Sequence, residues 1–440
     1  MADTAGAVSL AQPPGQAGLL WEHTAPNPQV FPEFQGAGKT DVAVIGGGVT
    51  GVTAALFLAE AGHKVMLFDA GNIGGRASGR NGGQIVPGLK PAPSELSRRF
   101  GAEMARSMLQ LAFSGPDVLF SLVDRYRIDC AATRNGWIQA AFSPASSEAV
   151  KVRAAELGAW GGRVRLLDRE AMEAATGSSF WTAGLCETRA GSVQPLAYLR
   201  GLAAAAASHG AALYEHSRVH SVTPSGSTGG VLTLADGTVQ ARNVIIATDA
   251  YTDRLWPAIA QSYVSVSSAQ IATNPLPSAL LEKIIPGRCG LSETRKITYY
   301  CRVDAEGRFV IGGRGKKPDH LDEATRTQLR KAAIARFPAL STVDWPYGWA
   351  CRVGMTLDDL PHLHHLSPGI WSSYGYCGRG MAMGTAMGRL LAKAVSEGDA
   401  DGLAYPVTPI RRLPFHPLRQ SAASLVIGWY RLRDALGCPA

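Results

Sequence analysis

A chain of 440 residues exceeds what one ordinary core organises and implies two intertwined domains. Its 46% hydrophobic and 18% charged content excludes a disordered chain. The net charge is +8, but the basic residues are scattered, with pairs such as Lys316-Lys317 and Arg411-Arg412 rather than the concentrated stripe nucleic acid requires; general solubility or attraction of acidic substrates is left.

Met1–Thr4 lacks the basic start and apolar stretch of a secretory leader, and the most apolar window, 42–61, is too glycine-rich for a membrane span. Cys130, Cys186, Cys289, Cys301, Cys351, Cys377 and Cys438 form an odd set without paired metal spacing. Reduced thiols, a cytoplasmic location and no bound metal are expected.

Residues 1–39, rich in Pro, Gly and Gln, read as an extended arm, with Leu19, Leu20 and Trp21 available to dock on the body. Asp41 to Gly51 then read DVAVIGGGVTG. Val42–Ile45 suits a strand buried on both faces, and Gly51–Ala61 suits the helix that follows. Gly46 permits the tight turn, Gly48 lets backbone approach a pyrophosphate, and Gly51 lets helix pack on strand. Val49 and Thr50, just before that helix, join the cofactor contacts, and the helix's free N–H groups and positive dipole end face phosphate. Lys64–Phe68 forms the next strand and delivers Asp69, followed by Ala70, to the ribose hydroxyls. Strand, glycines, helix, strand and acid in this order predict a dinucleotide fold, with NAD, NADP and FAD all open.

The segment 74–84 is neither strand nor helix core. Its Ser78, Gly79, Arg80, Asn81, Gly82, Gly83 and Gln84 are suited to wrap an extended anion, against the alternative of a plain surface loop. A nicotinamide enzyme has no use for a second glycine loop there. Helices are expected over 95–123, 147–157, 169–176 and 195–209, and strands over 213–248. Lys296–Val303 and Arg308–Gly312 are expected as strands of an antiparallel sheet, joined at Asp304–Gly307 by a hairpin turn. Tyr300 and Arg302 share one strand face, where they suit a carboxylate or amine, the alternative being routine sheet residues. The run Tyr374–Met381, YGYCGRGM, opens a helix over 381–396. Gly378, Arg379, Gly380 and Met381 place free N–H groups and a cation at its start, or else merely pack it on the sheet. His362, His364 and His365 lack acidic partners at metal-ligand spacing, and Ser78 and His216 lack any hydrolase context.

The ASGRNGGQ run at 77–84, so soon after the glycine fingerprint, resembles the D-amino-acid-oxidase-type FAD enzymes, and within them the sarcosine oxidase, glycine oxidase and γ-glutamylputrescine oxidase group. Gly191–Pro195, the strand Val244–Tyr251, the segment Trp349, Thr356, Asp358 and Pro361, and the tail Pro414–Arg419 with Trp429 and Tyr430 resemble the same group in the same order. The resemblance implies an α/β fold, a Rossmann-like FAD-binding domain of the GR2 type with an inserted α+β substrate domain on an antiparallel sheet. Its parts are an arm at 1–39, FAD-binding segments at 40–94, 181–260 and 346–405, substrate segments at 95–180 and 261–345, and a tail at 406–440. It adds Val219 and Thr248 to the cofactor contacts. It also implies hydride transfer from an amine or amino acid to flavin N5, hydrolysis of the resulting imine, and reduction of O2 to H2O2. Arg379 is then a cation beside the reduced flavin, and Lys296 the lysine for oxygen activation. The spacing of Cys351 to Thr356 and Asp358 resembles that around the flavin-linking cysteine of monomeric sarcosine oxidases. Covalent attachment through Cys351 and a noncovalent site with a buried thiol both remain open. So do a dehydrogenase feeding a quinone or carrier, a flavin protein without turnover, and a homo-oligomer.

Overall fold

The computed structural model describes residues 18–226, 229–398, 400–414 and 419–438. The tail motif at 415–418 lies outside them, as do the first seventeen residues of the expected arm. The rest of the arm is not simply extended. Leu20–Thr24 is a short helix whose Leu20 and Trp21 are buried.

The apolar run at 42–45 lies at the end of a strand, Gly36–Ile45, that pairs in parallel with Val65–Phe68 on one side and Gly237–Ile246 on the other. Ala212–Tyr214, Ile370–Tyr374 and His362–Ser367 extend this eight-stranded sheet, and Val219–Pro224 with Gly230–Leu234 form an antiparallel extension beside Gly237–Ile246. Helices Val49–Glu60, Ala102–Tyr126, Pro195–Ser208 and Gly380–Glu397 cover one face, burying Leu56, Leu58, Met108, Leu199 and Met387. Two of these helices approach closely because Gly388 has no side chain. A Cβ there would lie 2.6 Å from the Thr50 carbonyl oxygen. The N-terminal ends of Val49–Glu60 and Gly380–Glu397 thereby converge on the same cavity.

A second eight-stranded sheet runs in the order Tyr347–Met355, Val264–Pro275, Arg308–Arg314, Tyr300–Val303, Gly290–Glu293, Trp137–Ala140, Gly184–Glu187, Val164–Leu167. Its pairs are antiparallel except Gly290–Glu293 with Trp137–Ala140, which are parallel. The two strands expected around Asp304–Gly307 do pair, with Tyr300 opposite Gly312. Residues 296–299 do not join the strand, however. The Lys296 and Ile297 amides donate to Asp434 on the C-terminal helix Arg419–Ala435, at 3.0 and 2.9 Å, instead of to a neighbouring strand. Gly184–Glu187 and Tyr347–Met355, both expected on the nucleotide side, hydrogen-bond in this second sheet. The expected boundaries at 181 and 346 therefore fall outside the nucleotide sheet.

Candidate functional site

A cavity of about 1590 Å³ lies between the two sheets, above the roughly 300–1,000 Å³ typical of small-molecule pockets. Gly46, Gly48, Val49 and Thr50 line one end, because the strand Gly36–Ile45 stops there and the helix Val49–Glu60 begins just after Gly48, which has no side chain to cap it. Gly51 lies behind the turn. A Cβ on it would meet the Gly46 carbonyl oxygen at 1.9 Å, so its role is the close helix–strand approach.

Asp69 and Ala70 line the same end at the close of the next strand. The Asp69 carboxylate accepts from the Gly47 and Gly71 amides at 2.7 and 2.8 Å, which fixes it beside the turn. Burial raises its pKa, against the lowering effect of those two amides and of Arg76. Val219 and Thr248 also line this end.

The loop 74–84 folds as a short helix, Ala77–Arg80, and a two-residue strand. Ser78, Asn81, Gly82 and Gln84 reach the cavity wall. The Ser78 hydroxyl accepts from the Val49 amide at 3.0 Å, and a Cβ on Gly48 would come within 2.8 Å of it. Asn81 Nδ2 donates to the Ser78 carbonyl, while its Oδ1 accepts from the Gly83 amide, both at 2.7 Å. Gly79, Arg80 and Gly83 are not in the wall. Gly83 has φ +69°, and a Cβ there would lie 2.1 Å from the Val193 carbonyl oxygen, so it shapes the loop from behind. Arg80 turns its Nε back to the Gly75 carbonyl at 2.9 Å. Its own carbonyl accepts from Gln270 Nε2 at 2.6 Å, Trp349 Nε1 at 2.8 Å and Cys351 Sγ at 3.9 Å.

Gly378, Arg379, Gly380 and Met381 line the cavity at the start of Gly380–Glu397, which has no side-chain cap. Arg379 donates through Nη1 to the Pro87 carbonyl at 2.7 Å, and its guanidinium lies over the Trp137 ring. Burial, and then the neighbouring Arg153 charge, press its pKa down to about 9, so it is cationic at neutral pH. Tyr376 joins the two helix starts by a 2.7 Å hydrogen bond between its hydroxyl and Thr50 Oγ1.

On the second sheet, Cys351, Ser268 and Arg314 are cross-strand neighbours in one register, and all three line the cavity. Tyr300 crosses the bare Gly312 backbone, and its hydroxyl meets Ser268 Oγ at 2.8 Å. Burial raises the Tyr300 pKa and keeps the phenol neutral. Cys351 is buried, and burial followed by the Asp319 charge pushes its thiol up to about 12, with Arg80 opposing. Lys296 reaches the cavity rim with Nζ over the Tyr430 ring, but it is exposed and belongs to a loop.

Arg302 departs from expectation. It lies outside the cavity wall, donates through Nη2 to the Val193 carbonyl at 2.8 Å, and packs over the Trp21 ring. Sharing a strand face with Tyr300 does not bring it to the same cavity, because Trp21 fills the intervening layer. Among the lining residues that sequence reasoning missed, two carry charge where it bears on the site. Asp249, at φ +40° just after the strand ending at Ile246, accepts from the Gly375 amide at 2.7 Å and so ties the two halves of the nucleotide site. Arg314 is the other, hidden because the register of its strand decides which face it joins. Among the described residues, no group of His, Cys, Asp and Glu is placed to hold a metal.

These residues fit FAD. The two helix starts, neither capped by its own N-cap residue, and the side-chain-free turn at 46–48 form a cradle that a Cβ would obstruct, and the cavity continues from it to the Cys351–Tyr300 wall.

Comparison with known proteins agrees. The family described as "FAD dependent oxidoreductase" (DAO) matches residues 41–394. The γ-glutamylputrescine oxidoreductase of Escherichia coli (strain K12) is 30% identical over 90% of this chain and 93% of its own length. A Haemophilus influenzae protein named "Probable oxidoreductase OrdL" is 28% identical over 92% of this chain and 94% of its own. The crystal structure of glycine oxidase from Geobacillus kaustophilus superposes with a TM-score of 0.71 at 22% identity, covering 86% of this chain and 99% of that one, a likeness of fold. With fingerprint, cradle and family match coinciding, the chain belongs to the DAO family of FAD-dependent oxidoreductases, acting on amines or amino acids.

Proposed function

We propose that this protein oxidises a primary or secondary amine bearing an acidic group, of the γ-glutamyl-amine kind, and returns the electrons to O2 as H2O2. The observation that carries this reading is the single cavity joining the Gly46–Thr50 cradle to a wall of Tyr300, Ser268 and Arg314. Among the described residues no carboxylate pairs with Arg314, and the charge of Arg431, another cation, lowers its pKa further. Its pKa, lowered by burial and then by Arg431, remains about 10, so it presents a full positive charge to an acidic substrate group. The relative named γ-glutamylputrescine oxidoreductase gives that choice independent support.

Gly46, Gly48, Val49, Thr50, Asp69 and Ser78 would hold the adenosine and pyrophosphate half of FAD, and Gly378–Met381 the ring half. Bound FAD supplies a two-electron acceptor for the C–H bond next to the substrate nitrogen. The protein orients the amine between the Tyr300 phenol and Arg314. Tyr300 donates a hydrogen bond without giving up its proton, since burial keeps it neutral. A neutral amine nitrogen needs no dedicated base. Arg379 and the start of Gly380–Glu397 hold positive potential at the ring end.

The test is anaerobic flavin bleaching with γ-glutamyl amines, polyamines, N-methyl amino acids and D-amino acids, followed by peroxide measurement with O2 as sole acceptor. Rapid bleaching by a γ-glutamyl amine, with stoichiometric peroxide, is expected. Bleaching by none of the four classes would reject the amine reading, and bleaching without peroxide would move the acceptor to a carrier.

A further inference from the structure

The C-terminal helix Arg419–Ala435 and the turn after it have two unlike faces. The inner face carries Val426, Ile427 and Tyr430 into the cavity wall, and Asp434 accepts from the Lys296 and Ile297 amides. Leu425, Trp429, Leu432 and Leu436 are turned outward, 78, 58, 52 and 71% exposed. Their spacing of four, three and four places them in one stripe, at about 100° of rotation per residue. Isolated exposed leucines need no explanation, but a contiguous stripe of three leucines and a tryptophan does.

The charge around the stripe identifies what covers it. Residues 403–438 contain Arg411, Arg412, Arg419, Arg431 and Arg433 against one acid, Asp434, whose carboxylate is already taken up by the two loop amides. Arg431 is exposed and lies near enough to the cavity residue Arg314 to act on it, and Arg411 and Arg412 are exposed just before Leu413, which joins Val426 in the cavity wall. A two-fold contact with a second copy would place these arginines against one another as the leucines met. An anionic bilayer surface takes up the leucines and tryptophan in its interfacial layer and the arginines at its headgroups. No described helix is long and apolar enough to cross a membrane, so the helix lies along the surface.

We propose that the Leu425–Leu436 face docks this protein on anionic phospholipid, with the cavity on the opposite face of the same helix. This goes beyond the amine-oxidising reading and does not depend on it.

The holoenzyme is mixed with vesicles of phosphatidylcholine alone, or of phosphatidylcholine with phosphatidylglycerol, and sedimented. Binding to the mixed vesicles is expected, weakened roughly tenfold or more without phosphatidylglycerol or at high salt. Trp429→Ser with Leu432→Ser is expected to lower vesicle binding by a similar factor while keeping the yellow FAD spectrum, since neither side chain lines the cavity. Arg411→Glu with Arg412→Glu should weaken binding with the stripe intact. Absence of vesicle binding, equal binding by these variants, or a dimer that the stripe substitutions dissolve would each overturn the proposal.

Discussion

Cys351 shows how little of a residue's chemistry its spacing conveys. Its distance along the chain from Thr356 and Asp358 suggests a flavin-linking thiol, and the side chain does line the cavity. Burial nevertheless pushes the thiol up to about 12, far from the thiolate that attack on a ring carbon requires. Acid precipitation of the purified protein is therefore expected to leave the yellow colour in the supernatant. Colour retained in the pellet of the native protein, and lost in Cys351→Ala, would establish the thioether instead. Asp358 has a different lesson. Burial works to raise its pKa, but the His362 hydrogen bond and charge, helped by the Leu360 amide and Arg99, outweigh it and hold the carboxyl at about 2. Because that value lies below the ordinary 3.8, the pairing contributes stability above the unfolded pKa and loses it as pH falls through about 2. The contribution is on the order of 2 kcal/mol. Thermal melts of Asp358→Asn should show a lower Tm at neutral pH and a shallower decline between about pH 4 and about pH 2. Parallel curves for the two proteins would contradict this.

Elements with a strong local signature were legible from the chain. Arg169–Thr176 forms with the expected bounds, Pro195–Ser208 ends one residue before expectation, and Gly380–Glu397 extends one residue beyond it at each end, because apolar periodicity and flanking glycines act within a few residues. The excursion at 296–299 was not legible, since it is stabilised by Asp434, more than a hundred residues away. The same limit applies to Arg302 and Arg314. Sequence alternation assigns each a strand face, but the layer packed on that face decides whether it meets a cavity or Trp21. The glycine turn, by contrast, is local and makes a sharp prediction. Gly51→Ala puts a methyl 1.9 Å from the Gly46 carbonyl oxygen, and neither backbone can yield without opening the turn. A cost of about 1–3 kcal/mol or more is expected, together with protein purified largely free of flavin. A fully yellow variant with an unchanged Tm would show that the close approach is dispensable.

Across the whole molecule, the Rossmann-like sheet followed from the order of motifs, and a substrate domain beside it from the family resemblance. The way the halves are fastened did not, because it depends on contacts between distant segments. Trp21 is one fastening. It donates through Nε1 to the Asn81 carbonyl at 2.8 Å, meets Trp349 edge-on at 5.6 Å, and lies under the Arg302 guanidinium. Trp21→Ala should cost about 3–5 kcal/mol and leave Arg302 buried beside a void. The 74–84 loop should loosen with it, so flavin loss at moderate urea is expected to exceed that of the native protein; equal retention would argue against a shared anchor.

The Arg80 carbonyl carries a consequence for engineering. Gln270, Trp349 and Cys351 come from two neighbouring strands of the second sheet, yet all three donate to one oxygen in the glycine loop of the first. A chimera that grafts a relative's substrate sheet onto this nucleotide domain would inherit three donors aimed at a point set by the recipient. Residues 74–84 should therefore travel with the transplanted sheet, and the workable crossover point lies upstream of the loop, after Asp69.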